Sequence, residues 1–185
     1  MPTTSNELAL GATAPSFLLP DVTSGKTLSL DEIATGNPAL VMFLCRHCPY
    51  VKHVEPQLAQ LARDYAGKKL SLVAISANDA EHYPEDAPQS LAEQARAAGF
   101  PFPYCYDESQ TVARAYGAVC TPEFFLFDGG RKLVYHGQLD ASRPGNRAPL
   151  NGQDLRAAID AALQGRPVDK RQLACVGCSI KWKRG

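Results

Sequence analysis

The stretch Ala39–Tyr50 reads ALVMFLCRHCPY and carries the strongest structural signal in the chain. Its first six residues form a continuous apolar run, which is typical of a buried strand. Beyond Pro49, apolar residues recur at spacings of 3, 4, 3 and 4, which predicts one face of a helix over residues 49–66. These residues are Val51, Val54, Leu58, Leu61 and Tyr65. Two cysteines therefore stand where a strand ends and a helix begins.

This position favours thiol chemistry at Cys45 and Cys48. The positive end of the helix dipole stabilises a thiolate relative to a thiol, and the thiolate is the form that attacks a disulfide or a peroxide. We expect Cys45 to be the nucleophile, ionised and open to its substrates, and Cys48 to be the resolving thiol. Arg46 and His47 lie between the two cysteines, and their positive charge is expected to lower the thiol pKa further.

Strands and helices alternate along the rest of the chain. Apolar residues alternate on both sides of a glycine-containing turn at residues 21–26, which predicts an N-terminal β-hairpin. Pro56 is expected to kink the first helix or end it early, and the polar segment 77–90 is expected to be a loop. Further strands are predicted at 70–76, 102–106, 121–127 and 132–136, and further helices at 89–98, 108–116 (capped by Asp107) and 152–163. The order indicates an α/β fold with a central mixed sheet flanked by helices.

Composition limits the class of protein. With 185 residues and 45% apolar content, the chain can bury one good core. Its net charge is zero, so no overall field attracts nucleic acid or an anionic membrane, and we expect neither as a partner. Residues 166–185 nevertheless carry six basic side chains against one acid. We therefore expect a domain over residues 1–164 and a basic C-terminal tail over 165–185 that packs on it.

Cysteine usage and targeting signals predict the compartment. The N-terminus has no basic region followed by a long apolar core, and no apolar run approaches the length of a membrane-spanning helix. A cytoplasmic location is expected. Six cysteines in a reducing compartment are interpreted as reactive or buried thiols rather than as three structural bridges.

Five segments of the sequence suggest a family. They are GATAPSFLL at 11–19, CRHCPYVK at 45–52, CTPEFFLFD at 120–128, SRPGN at 142–146 and GCSIKWK at 177–183. Together they resemble a peroxiredoxin-like subgroup, with a thioredoxin-type C-x-x-C, of the alkyl hydroperoxide reductase and thiol-specific antioxidant (AhpC/TSA) branch of the thioredoxin-like superfamily. The resemblance implies a thioredoxin-like fold in which Pro122 is cis and faces the C-x-x-C. The backbone of Thr121 would then lack a strand neighbour and could pair with an extended substrate peptide.

The expected function is thiol–disulfide oxidoreduction in cell redox homeostasis, without a cofactor, by a monomer or weak dimer. Its substrates would be thiols and disulfides of proteins or small molecules. The alternative enzyme is an antioxidant thiol-dependent peroxidase that takes peroxides. Cys48-Pro49 fits the peroxiredoxin pattern and Arg143 would be the activating arginine, whereas Cys45 and Val41 do not fit it. A metal-binding or docking module is the alternative outside enzymes.

Three further residues lie close to these motifs. Cys120, two residues before Pro122, is interpreted as an auxiliary thiol or as a small buried apolar side chain. Glu123 would either move protons near the thiols or be a solvated charge at a strand end. Lys52, one turn into the helix, would either tune the thiol pKa or be an ordinary exposed lysine.

The tail carries a second C-x-x-C, formed by Cys175 and Cys178. Three interpretations are open: a plain surface pair, a relay that exchanges with Cys45 and Cys48, or half of a tetrahedral zinc site. Because zinc would quench the nucleophile, no metal is expected. Trp182 is expected to anchor the tail on the body, and a tail that covers the redox site is the main regulatory hypothesis.

Overall fold

A computed structural model describes residues 2–4 and 8–184 of the chain. No helix in this part of the chain combines the length and apolar character needed to cross a membrane. The elements in chain order are β1 (Pro2–Thr4), β2 (Leu18–Pro20), β3 (Thr27–Ser29), α1 (Leu30–Ile33), β4 (Ala39–Phe43), α2 (Pro49–Asp64), β5 (Ser71–Ser76), a 3-10 helix (Pro84–Asp86), α3 (Pro88–Ala98), β6 (Tyr104–Tyr106), α4 (Thr111–Tyr116), β7 (Cys120–Thr121), β8 (Glu123–Phe127), β9 (Leu133–Gly137), α5 (Gln153–Leu163) and β10 (Val176–Ser179).

The central sheet has five strands in the order β6-β5-β4-β8-β9. The apolar run β4 is its middle strand, parallel to β5 on one side and antiparallel to β8 on the other. β6 extends the parallel half and β9 the antiparallel half, while β2 and β3 pair as a separate antiparallel hairpin. The predicted α/β class, mixed sheet and N-terminal hairpin are confirmed.

The central strand is buried on both faces, which explains its unbroken apolar run. Leu40 and Met42 point to one apolar cluster, under α2, α3 and α5. Val41 and Phe43 point to a second cluster on the opposite face, under α1 and α4. The first cluster also contains Cys45, so the redox motif is continuous with one half of the core.

The helix predicted from the apolar spacing after Pro49 is confirmed as α2, but the expectation that it breaks early at Pro56 is wrong. Pro49 occupies the first turn, where an amide would have no intrahelical partner, and the helix runs through Pro56 to Asp64. Pro56 lies on the exposed side, where water can reach the carbonyl that loses its helical partner. The apolar face of α2 therefore continues without interruption.

Two predicted boundaries need correction. Helix α4 begins at Thr111 rather than at residue 108 because Gln110 adopts a left-handed conformation, with φ of 62°. Asp107 still caps the helix, since its carboxylate accepts the amide of Ala113 at 2.8 Å. The supposed loop 77–90 contains the 3-10 helix, and its last residues start α3.

The C-terminal tail forms regular structure that its sequence did not predict. β10 lies between β1 and β7 in a second, antiparallel sheet. Beyond it, Ile180 is buried in the second cluster, and the guanidinium of Arg114 lies 4.4 Å from the ring centre of Trp182. Trp182 thus contacts the body as expected.

Candidate active site

The backbone of the first C-x-x-C is held by a buried carboxylate. One oxygen of Asp86 accepts the amide of Arg46 at 2.7 Å and that of His47 at 3.2 Å. The other oxygen lies 2.5 Å from the ring nitrogen Nδ1 of His47 and accepts the side-chain amide of Asn78 at 2.8 Å. Asp86 therefore fixes the turn that leads from β4 into α2.

Both sulfurs of the motif face the Thr121–Pro122 peptide bond. Cys45 Sγ lies 3.0 Å from the hydroxyl oxygen of Thr121, and Cys48 Sγ lies 3.3 Å from its carbonyl oxygen. The Thr121–Pro122 bond is cis, which confirms what the family resemblance implied. Neither Cys45 nor Cys48 has exposed surface, so the expectation of an accessible nucleophile is wrong for this conformation.

The acidity of the two thiols runs opposite to the prediction. A hydrogen bond from Cys45 lowers the pKa of Cys48 to about 5 against the cost of burial, with further hydrogen bonds from Cys178 and from the amide of Val51. The same hydrogen bond, together with burial, raises the pKa of Cys45 well above its usual range. The hydrogen bond between the thiols is the largest cause of both shifts, and Cys48, not Cys45, is the N-cap residue at the positive end of the α2 dipole.

The two residues predicted to tune the thiols differ in their surroundings. A hydrogen bond to Asp86 raises the pKa of His47, and its ring stacks on Tyr83 with ring centres 5.6 Å apart. Arg46 turns its half-exposed side chain to Glu93, with a nitrogen–oxygen distance of 3.1 Å. Both residues therefore face a carboxylate, His47 that of Asp86 and Arg46 that of Glu93.

The tail strand covers the sulfurs. In the antiparallel pairing of β10 with β7, Cys178 lies opposite Thr121 and Ser179 lies opposite Cys120. The thiol of Cys178, half-buried, hydrogen-bonds to Cys48. The expectation that the Thr121 backbone lacks a strand neighbour is therefore wrong, because the chain supplies that neighbour itself.

The second C-x-x-C is not a pair. Cys175 is buried, and its thiol donates to the carbonyl oxygen of Gly137 at 2.8 Å, whereas Cys178 belongs to the Cys48 site. The four-cysteine zinc alternative is not the arrangement the structure forms. In the described part of the chain, the potential ligand atoms that lie together, all within 4.8 Å, belong to Cys45, His47 and Asp86. Two of these, His47 and Asp86, already bind each other.

Glu123 and Cys120 are buried together beside cis-Pro122. Glu123 is not the solvated strand-end charge that was the alternative, because its side chain has no exposed surface. Its carboxylate accepts the amides of Val119 at 2.8 Å and Cys120 at 3.1 Å, and it pairs with His136 at 2.8 Å. Burial and this carboxylate raise the pKa of Cys120, which fits a small core side chain.

Arg143 and Lys52 lie near the site. The guanidinium of Arg143 donates to the carbonyl oxygens of Asp140 and Ser142, at 2.6 and 2.7 Å, and to the side chain of Gln138. These contacts hold its own loop together, and Arg143 also lines a cavity with cis-Pro122. Lys52 is exposed on α2 and lines a cavity with His47.

Sequence reasoning missed three polar residues of the site. Asp86 and Asn78 lie in the segment taken for a solvated loop, yet both are buried. Gln94 of α3, also buried, donates to the carbonyl oxygen of Cys45 at 3.1 Å. A polar residue within an amphipathic helix or a polar loop gives no sequence signal of burial, so no pattern separated these three from surface residues.

Comparison with known proteins places this geometry in a family. The chain matches two solved structures over nearly its whole length: an uncharacterised conserved protein from Geobacillus kaustophilus (50% identity, TM-score 0.98, 100% of this chain and 98% of that one) and a hypothetical protein from Sinorhizobium meliloti (47% identity, TM-score 0.96, 99% and 100%). A thiol:disulfide interchange protein of the thioredoxin family from Chlorobium tepidum shares the fold at 19% identity (TM-score 0.64, 85% and 99%). No curated protein matches.

The match to a family model is extensive. Residues 10–136, which include β2 to β8, both cysteines of the first motif and cis-Pro122, match the model of the AhpC/TSA family. The fold is thioredoxin-like, and a thiol-based redox function in general terms follows from the family and from the thiol pair. The chain belongs to the AhpC/TSA family.

Proposed function

We propose that the chain is a thiol–disulfide oxidoreductase that works through Cys45 and Cys48. The observation that carries this proposal is a hydrogen-bonded thiol pair at the start of α2 in which one member, Cys48, has a pKa of about 5. A thiol of that acidity is ionised at neutral pH, and its neighbour is placed to form a disulfide with it. The substrates are thiols or disulfides of proteins or small molecules.

The acidity of Cys48 assigns the steps. The Cys48 thiolate attacks one sulfur of a substrate disulfide, and the first substrate thiolate leaves. Cys45 then attacks Cys48 Sγ, the mixed disulfide breaks, and the second substrate thiolate takes the proton of Cys45. The substrate gains two electrons and the pair becomes a disulfide. This order reverses the roles predicted from the sequence, because the hydrogen bond from Cys45 lowers the pKa of Cys48.

Insulin reduction with a small-thiol donor tests the activity. We expect wild type to reduce insulin, and Cys45→Ser/Cys178→Ala and Cys48→Ser each to lose at least about 100-fold, since neither keeps both an attacking thiol and a neighbour that can resolve the mixed disulfide. Cys105→Ala is the matched control, because Cys105 is a buried cysteine in the cluster on the opposite face of the sheet. Equal activity in all four proteins would contradict the proposal.

A trapping experiment tests which of the two cysteines attacks the substrate disulfide. Cys45→Ser/Cys178→Ala leaves the attacking thiolate without a neighbouring thiol that could resolve it, so it should accumulate a mixed disulfide with a model disulfide, such as a peptide thiol activated with Ellman's reagent. Cys48→Ser should accumulate less, because burial still raises the pKa of Cys45 after its hydrogen bond to Cys48 is lost. The reverse result would return the attacking role to Cys45.

A thiol peroxidase is the second candidate, and one observation favours it. The acidic sulfur is the N-cap residue of α2 and is followed by Pro49, in the order that the peroxiredoxin pattern places after its reactive cysteine. A direct assay of hydrogen peroxide consumption with a thiol donor compares the two activities. Consumption that depends on Cys48 and exceeds the rate of insulin reduction would rank the peroxidase first.

A further inference from the structure

The tail strand β10 brings a third sulfur to the thiol pair. It pairs with Thr121, which both sulfurs contact. Cys45 Sγ lies 3.0 Å from the hydroxyl oxygen of Thr121, and Cys48 Sγ lies 3.3 Å from its carbonyl oxygen. Cys178 is the residue of β10 that stands opposite Thr121. The three sulfurs are therefore gathered around one peptide unit.

The position of Cys178 is fixed from both sides. A Cβ atom on Gly177 would lie 2.0 Å from the carbonyl oxygen of Thr121, so only glycine allows the strand this close. On the other side, Ile180 donates its amide to the carbonyl oxygen of Val119 at 2.9 Å, and Lys181 donates its amide to Asn78 at 2.8 Å. Close packing and these two bonds hold the register of the strand.

Cys48 has both of the other sulfurs as neighbours, since Cys45 shares its contact with Thr121 and Cys178 stands opposite Thr121 in β10. A sulfur with two thiol neighbours can form a disulfide with either. We propose that Cys178 is a third redox-active thiol, which exchanges with the Cys45–Cys48 disulfide to form a Cys48–Cys178 disulfide in the same chain. This inference rests on the proposed function, which supplies the first disulfide.

The exchange conserves atoms and electrons. Burial raises the pKa of Cys178 to about 12, so Cys178 gives up its proton as its sulfur attacks Cys48 Sγ. The Cys48–Cys178 bond forms as the Cys45–Cys48 bond breaks. The electron pair leaves with Cys45, which takes up the proton that Cys178 released. One disulfide and one thiol are present before and after the step. The result joins the tail covalently to the active site and returns Cys45 to its thiol form.

The other cysteine of the tail does not take part. Cys175 is buried, and its thiol is committed to the carbonyl oxygen of Gly137 at 2.8 Å. It lies before β10, outside the pairing with Thr121. The spacing of the second C-x-x-C therefore does not reflect a disulfide between its two members, and Cys175→Ala is a matched control for changes at Cys178.

Peptide mapping of the full chain distinguishes the disulfides, because trypsin separates the first two cysteines. Cleavage after Arg46 puts Cys45 in residues 27–46 and Cys48 in residues 47–52, while Cys178 falls in residues 172–181. Protein equilibrated with reduced and oxidised glutathione is quenched with acid, alkylated and digested without reductant. We expect two linked species in wild type, 27–46 with 47–52 and 47–52 with 172–181.

Variants show which cysteine of the tail forms the disulfide, and they separate this inference from the proposed function. In Cys45→Ser, the link between 47–52 and 172–181 should rise at least about tenfold, since positioned thiols react at high effective concentration. The link should persist in Cys45→Ser/Cys175→Ala and vanish in Cys45→Ser/Cys178→Ala. A link to Cys175, or no link to the tail in wild type and Cys45→Ser alike, would overturn the inference. If the Cys45–Cys48 disulfide also fails to form, the proposed function fails as well.

Discussion

Hydrogen bonds from the thiols of Cys45 and Cys178 and from the amides of Val51 and Cys178 lower the pKa of Cys48. Removing one donor in Cys178→Ala should raise the pKa of Cys48 by roughly one unit from about 5. The thiolate absorbance at 240 nm, followed against pH in the reduced protein, measures the shift. Cys178→Ser keeps a hydroxyl donor, so its Cys48 pKa should lie closer to the wild-type value. The titration curve of Cys105→Ala should match that of wild type. A curve for Cys178→Ala that coincides with wild type would show that Cys178 does not stabilise the thiolate.

The imidazole of His47 should set part of the redox potential. Its hydrogen bond to Asp86 raises its pKa, so it carries more positive charge near Cys48 than a free histidine would. His47→Gln removes that charge, disfavours the thiolate of the reduced form, and should lower the potential by ~30 mV per tenfold change in the equilibrium. Equilibration with glutathione buffers at pH 6 measures it. Lys52→Gln, which removes an exposed cation one turn away, is the control, and an equal shift in both variants would contradict a specific role for His47.

At the scale of elements, β10 controls access to the thiols. Gly177→Ala places a methyl group against the carbonyl oxygen of Thr121, so the strand must move away from β7. We expect the rate at which N-ethylmaleimide alkylates the reduced protein to rise at least about tenfold, since a more populated open form exposes Cys48. Ser179→Ala, on the same strand, should leave the rate within about twofold of wild type. If both variants react at the wild-type rate, the tail does not limit access.

The elements differ in how far the sequence determines them. The unit from β4 through α2 could be predicted because its periodicity is local: a buried apolar run, two cysteines and a helical stripe follow one another. β10 could not, because Val176–Ser179 has no strand pattern and acquires its structure from residues near Thr121 that are distant in sequence. To identify the more acidic cysteine, one must know at which residue the first turn of α2 begins. Periodicity locates a helix end only to within a few residues, so it could not identify that cysteine.

At the scale of the whole molecule, the tail joins both halves of the core. Cys178 packs against the cluster that contains the thiol pair, and Ile180 is buried in the cluster on the other face of the sheet. The next residue, Lys181, donates its amide to Asn78, which in turn donates to the carboxylate of Asp86 behind the redox motif. Changes in the thiols, the tail and the turn held by Asp86 are therefore expected to affect one another.

The ionised thiol should also make the stability of the reduced fold depend on pH. The pKa of Cys48 falls from ~8.5 in the unfolded chain to about 5 in the folded one. A group with a depressed folded pKa stabilises the fold fully above the unfolded pKa, and this contribution is lost as pH falls through the folded pKa. The free energy of unfolding of reduced wild type, relative to reduced Cys48→Ala, should therefore rise between pH 5 and pH 8.5, by on the order of 2–4 kcal/mol in total.

Urea unfolding at a series of pH values under a non-thiol reductant measures this difference. Taking the difference from Cys48→Ala removes the contributions of titrating groups that do not interact with Cys48, and the cavity that the variant leaves adds a cost that does not vary with pH. In reduced Cys105→Ala, the free energy of unfolding should change with pH as it does in wild type. Above pH 8.5 the slope should reverse, because the raised pKa of Cys45 disfavours its ionisation in the folded chain. A difference that stays flat from pH 5 to 8.5 would mean that folding does not acidify Cys48, and the attack step assigned to it would lose its physical basis.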